Sequence, residues 1–201
     1  DFSGWKCVNC PDAAEHAHEL LSIYGQQLVV LEAHPAANKL TASQKPDYNY
    51  TCPAADSLYK TMGGNITTPL PIGSVNMKAK EGGTFLMNVG EWAGAVQSAV
   101  KQYHSADIHL RIGEQDSIIC NIYNWSAQTL ACNLYVWLTE DSIVSAQYFP
   151  EGPTNNYMRN HLLRDAILPA GGKTLTLAPL QQTEQIVVYT LPEKVVPENC
   201  H

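Results

Sequence analysis

The chain has 201 residues, 45% of them hydrophobic, which suffices for one large domain or two modest ones with real cores; two is the preferred reading. Lys plus Arg number 12 and Asp plus Glu 19, a formal net charge of -7 with no basic cluster, which argues against nucleic acid as a partner. No run reaches the roughly 20 apolar residues that cross a bilayer, and the first residues lack the basic and apolar regions of a secretion signal.

Asp1-Phe2-Ser3 reads as the tail of a strand, so the expectation is an excised or mature product whose leader or lipid anchor has been removed. Residues 11–24 follow with Ala13, Ala14, Ala17, Leu20, Leu21 and Tyr24 at helical spacing, Pro11 in the first turn and Gly25 at the end. Residues 28–31 form a short apolar run expected to be a buried parallel strand. A polar loop over 35–50 leads to a short helix over 54–62, closed by Gly63-Gly64. A strand over 72–78, a turn at Gly82-Gly83, a strand over 84–87 and a helix over 89–103 complete an α/β unit of residues 1–105. In this last helix Trp92, Val96, Ala99, Val100 and Tyr103 share one side.

Beyond Ser105 the pattern changes. Stretches over 107–112, 117–125, 130–139 and 143–149 alternate like strands with no helix between them, and two more follow at 173–177 and 185–191. Residues 155–168 carry a short helical pattern in Tyr157, His161, Leu162 and Ile167. The expectation for 106–201 is an all-β sandwich of immunoglobulin-like type.

Six cysteines, at 7, 10, 52, 120, 132 and 200, suit an oxidising compartment and leave the pairing open. Cys7 and Cys10 form a C-x-x-C pair at the start of the first helix. There the helix N-terminus favours a thiolate on Cys7, the nucleophile, and Cys10 becomes the resolving thiol, with Lys6 adjacent. The alternatives are a purely structural bridge and a metal site. A zinc ribbon would need a second matched pair, and His16 and His18 lie on different helix faces.

These residues resemble the thioredoxin pattern. Asp1-Phe2 stands six positions before Cys7, where that family ends its central strand on a buried acid, and Leu70-Pro71 stands where it carries a cis-proline facing the disulfide. The resemblance implies that Asp1 accepts the proton of Cys10 and that Pro71 shapes the substrate groove. Trp5, Lys6, Leu70 and His34 are then the expected substrate-contacting residues. Lys6 replaces the usual Trp, and Val8-Asn9 replaces Gly-Pro.

A resemblance over nearly the whole chain is to the 28-kDa outer-membrane lipoprotein family of Bacteroides-type bacteria. It rests on D-F-S-G-W-K-C-V-N-C-P, the strand ending in Ala33-His34, P-I-G-S-V-N-M, L-T-E-D-S-I-V-S-A-Q and Y-M-R-N-H-L-L-R-D. It implies a thioredoxin-like domain joined to a β-sandwich and held at the outer membrane by an N-terminal lipid anchor, with surface adhesion or receptor roles proposed for the family.

Cys120 and Cys132 fall on consecutive expected strands, as a cross-strand disulfide or as two buried thiols, and Cys52 and Cys200 are left to pair or not. His34 either lies near Cys7 and alters its pKa or caps a strand end. Tyr157, Arg159, His161, Arg164 and Asp165 either make a polar recognition surface or sit on a helix covering the sandwich edge, with Arg164 and Asp165 solvated. Asn49, Asn65 and Asn124 open glycosylation-type triplets. Two functions follow: an envelope thiol-disulfide oxidoreductase acting on exported proteins with cysteines and needing no cofactor, or a non-enzymatic protein that binds host or surface partners.

Overall fold

The computed structural model describes residues 1–42, 49–169 and 171–201. In chain order the elements are helices α1 (Cys10–Tyr24), α2 (Pro53–Thr61) and α3 (Val89–Val100), then nine strands. The strands are β1 (Ala106–Ile112), β2 (Ser117–Asn124), β3 (Leu130–Leu134), β4 (Trp137–Glu140), β5 (Ile143–Phe149), β6 (Gly152–Arg159), β7 (Leu162–Ala166), β8 (Lys173–Leu177) and β9 (Gln182–Val188). A helical part is thus followed by a mostly antiparallel β part. The chain divides into two compact units, one of Asp1–Lys101, Thr139–Asp165 and Val196–His201, the other of Gln102–Leu138 and Ala166–Val195.

In the first unit, α1 buries Ala13, Ala17 and Leu20 against Trp92 and Val96 of α3 and Met87, as the three- and four-residue spacing requires. Beside the helices, short backbone segments lie edge to edge. Leu162 of β7 bridges Glu32 in parallel, Ala33 bridges Phe2 in parallel, Phe2 bridges Ile72 antiparallel, and Gly73 bridges Met87 antiparallel. Gly73 has to be glycine, because a Cβ there would come within 2.8 Å of the Trp92 indole. β5 and β6 form an antiparallel hairpin, with a register shift between Ser145 and Gln147.

Several expected elements are corrected. Pairing in the 28–31 segment begins only at Glu32, since Val29 points outward while Leu28 and Val30 pack on the helices. The strand expected over 72–78 is limited to bridges at Ile72 and Gly73, because Asn76 and Met77 adopt left-handed backbone that no strand continues through. The last helix stops at Val100, leaving Tyr103 exposed beyond it. The 130–139 stretch is two strands, β3 and β4. The short helix expected within 155–168 is instead the end of β6 and all of β7, reversed at His161, whose φ is 59°. Residues 43–48 of the expected 35–50 loop lie outside the described residues.

In the second unit β1, β2 and β9 form an antiparallel sheet in that order, and β3 pairs with β8. Cys120, Ile122, Leu134, Val136, Leu168, Leu175 and Leu177 make one core. Asn124 is buried at the end of β2, where its Nδ2 donates to the carbonyls of Gln128, Leu177 and Ala178 at 2.9–3.2 Å. The cross-strand disulfide does not form, because β2 pairs with β1 and β9 while β3 pairs with β8; Cys120 and Cys132 are free thiols in and against the core.

Leu20 is buried on α1 while Ile23, near the end of the same helix, is 70% exposed. Leu20→Ala is expected to lower unfolding free energy by about 2–5 kcal/mol. Ile23→Ala should stay within about 0.5 kcal/mol of the parent, both read from urea denaturation.

Candidate functional site

Cys7 and Cys10 are joined as a disulfide with a Cα–Cα distance of 5.4 Å. Pro11 sits in the first turn of the helix, as its missing N–H allows, and the N-cap Asn9 side chain makes no capping bond. The turn is closed by Cys7 N donating to the Gly4 carbonyl (3.0 Å) and Cys10 N donating to the Cys7 carbonyl (3.3 Å). Both cysteines are buried, at 3% and 2% exposure.

β5 holds this loop from outside the helix. Gln147 Nε2 donates to the Cys7 carbonyl at 2.7 Å, and Tyr148 N donates to the Trp5 carbonyl at 2.9 Å. The Trp5 and Tyr148 rings lie 5.6 Å apart. Gln147 is in turn set by Arg159, whose Nη2 donates to its side-chain oxygen. Arg159 is 1% exposed and spends its remaining donors on Ser145 Oγ (2.9 Å), the Ala146 carbonyl (3.2 Å) and Glu32 Oε1 (2.9 Å). His34 Nε2 lies 2.8 Å from the same Glu32 oxygen.

A buried charge this well partnered shifts its neighbours. Burial alone would raise the Glu32 carboxyl, but Arg159 and the His34 and Ser3 hydrogen bonds outweigh it and hold the group at about 2, down from 4.5. Burial lowers His34 from its ordinary 6.5 and outweighs the opposing bond to Glu32; Arg159 acts in the same direction as burial. The imidazole is therefore neutral near pH 7, with its Nε2 hydrogen given to Glu32.

The other expected residues are placed as follows. One carboxylate oxygen of Asp1 is buried without a hydrogen-bond partner among the described residues. Asp1 also lines, with Pro11, Ala14, Glu32 and Tyr157, a cavity of about 390 Å³. The Leu70–Pro71 peptide bond is cis, one residue before Ile72 pairs with Phe2. Leu70 is buried and Pro71 half-buried. Lys6 donates Nζ to the Ala42 carbonyl (3.2 Å) and sits 5.1 Å from the Trp5 ring centre. His34 is bound into the Glu32–Arg159 cluster, which reaches the Cys7 backbone through Gln147.

The recognition-surface and helix readings of 157–165 are both corrected. Arg159 is interior, His161 pairs with Asp141 at 3.3 Å, and Arg164 pairs with Glu140 at 3.3 Å and is not freely solvated. Cys52 and Cys200 are free; the Cys52 sulfur accepts from Ala55 N at the start of α2. Burial pushes all four free thiols up, which keeps them protonated and poor nucleophiles. Among the described residues no group of three His, Cys, Asp or Glu is placed to hold a metal.

Sequence reasoning missed Glu32, Ser145 and Gln147. A signal existed for the last two: in I-V-S-A-Q-Y-F they stand at alternate positions of an otherwise apolar strand, where polar side chains on an inner face demand buried partners. Comparison with protein-family models, with curated proteins and with solved structures returns no match for this chain.

Glu32 and His34 both have lowered values in the folded protein, so each binds fewer protons there than in the unfolded chain. Their stabilisation is present above the unfolded values and is lost as pH falls, first below 6.5 for His34 and then from 4.5 toward about 2 for Glu32. Urea midpoints followed across this range should decline in that order, and Glu32→Gln should remove the lower step. Gln147→Glu keeps an acceptor for Arg159 but removes the donor to Cys7. It should speed reduction of the disulfide by a small phosphine by up to about tenfold, the factor that corresponds to a lost bond worth about 1.4 kcal/mol.

Proposed function

We propose that this chain is a thiol-disulfide oxidoreductase of the bacterial envelope, with a thioredoxin-like helical unit and a β-sandwich unit. The observation that carries the proposal is the Cys7–Cys10 disulfide at an uncapped helix N-terminus. The buried, unpartnered oxygen of Asp1 supports it, as a carboxylate able to take up a proton. The four other cysteines are single, protonated thiols, so this pair is the natural two-electron site.

The reaction is disulfide exchange. In the reduced protein the Cys7 thiolate attacks one sulfur of a substrate disulfide, forming a mixed disulfide and releasing the other substrate sulfur as a thiolate that takes up a proton. Cys10, deprotonated, then attacks Cys7 Sγ, closing the Cys7–Cys10 bond and releasing the second substrate thiol. Two electrons pass to the substrate. With a dithiol substrate the same steps run backwards and leave the protein reduced. The substrates fitting this reading are exported proteins with cysteines, and the location fitting it is the outer membrane, reached by a lipid anchor as in the lipoprotein family the sequence resembles.

A second reading is favoured by one observation. Both sulfur-bearing residues are nearly inaccessible and the loop is clamped by Gln147 and Tyr148, as suits a structural bridge in a surface protein that binds partners elsewhere.

The two readings separate on the Cys7–Cys10 reduction potential and on trapping. As an oxidoreductase, the protein should show a potential in the range of about -120 to -270 mV. Cys10→Ser should accumulate a mixed disulfide through Cys7, and Cys7→Ser should lose exchange entirely. Equal activity of Cys7→Ser and the parent on a mixed-disulfide substrate would sink the enzyme reading, and a potential below about -300 mV would mark a structural bridge.

A further inference from the structure

We propose that the free edge of β1 is a homodimer surface, where two copies of this chain pair β1 to β1 as antiparallel neighbours. Among the described residues β1 pairs only with β2, in an unbroken register from Ala106 opposite Asn124 to Ile112 opposite Ile118. Its seven residues contain no Pro and no bulge, two of the features that protect a sheet edge from pairing with another chain.

The apolar side of this strand is unfinished. Ile108, Leu110 and Ile112 share a sheet face with their partners Ile122, Cys120 and Ile118, which lie in or against the core. Yet they remain 49%, 60% and 81% exposed. The core stops at β2, and β1 carries its apolar row beyond it.

The charges on the opposite face select a second copy as the occupant. That face carries Asp107, His109 and Arg111. When two β1 strands pair about a twofold axis at His109, Asp107 of each faces Arg111 of the other, so two ion pairs form by symmetry. The same register sets Ile108 against Leu110 of the second copy, and Ala106 against Ile112, covering the exposed row from both sides. The existing partners leave room for this. Asp107 uses Oδ2 to accept from Trp125 Nε1 (2.8 Å), and Arg111 meets Glu184 only at 3.7 Å, with both side chains about half exposed. An unrelated strand has no reason to carry opposite charges at this spacing.

Sedimentation equilibrium on the full chain tests the proposal. The parent should rise from the mass of one chain toward that of two between about 1 and 100 µM. Asp107→Lys sets like positive charges against each other at both contacts and Arg111→Asp sets like negative ones, so each variant alone should associate at least about tenfold more weakly. Their equimolar mixture should regain the parent's association, because the mixed pair sets unlike charges together at both contacts. Unchanged circular dichroism shows that each variant is folded, as expected for exposed positions. A parent that stays monomeric throughout overturns the proposal and leaves the edge to another partner. So does association that persists in either variant alone, or a mixture that stays monomeric.

Discussion

A guanidinium buried to 1% exposure is tolerated only where its nitrogens find oxygen acceptors and its charge finds an anion, and Arg159 is placed where all three nitrogens and the charge are met. Glu32 supplies the anion, Ser145, Ala146 and Gln147 the remaining acceptors. These groups come from three places in the sequence: the segment before His34, strand β5 and the end of strand β6. The first unit therefore cannot form around residues 1–101 alone with this charge left in place. Removing one member would strand the others in the interior, which is why such a cluster behaves as a single unit.

The cluster also reaches the disulfide. Gln147 is oriented by Arg159 and donates to the backbone of Cys7, so the same strand that satisfies the buried charge positions the loop bearing the sulfurs. The helix brings Cys10, and β5 fixes Cys7 through its backbone. In the oxidoreductase reading, this arrangement holds the two sulfurs in register. In the structural reading, it seals them.

Legibility in the sequence followed local pattern. α1 was readable because Ala13, Ala17 and Leu20 repeat at helical spacing behind a proline, and β1 and β8 because their alternation is uninterrupted. The 72–78 segment failed because left-handed Asn76 and Met77 leave no trace in hydropathy. Residues 155–168 failed because Tyr157, His161 and Leu162 fall at three- to five-residue spacing, as on a helix. In the fold Tyr157 and Arg159 share the inner side of one strand and Leu162 begins another. The C-x-x-C pair announced itself. The link among Glu32, Arg159 and Gln147 did not, because the Arg159–Glu32 pair spans 127 residues and exists only in three dimensions. The segments 138–147 and 157–165 contain two of those three residues.

The buried Asn124 bears on where such a chain can be made. The nitrogen of its amide is the atom to which an oligosaccharide would be attached in the Asn-Trp-Ser triplet, and it is the same nitrogen that ties the end of β2 to the carbonyls of Gln128, Leu177 and Ala178. A sugar added during export through a glycosylating secretory pathway would take one of those hydrogens and need space that the interior does not have. The native arrangement of the second unit and a glycan at this position exclude each other, so material for biophysical work is best produced in a host without that modification.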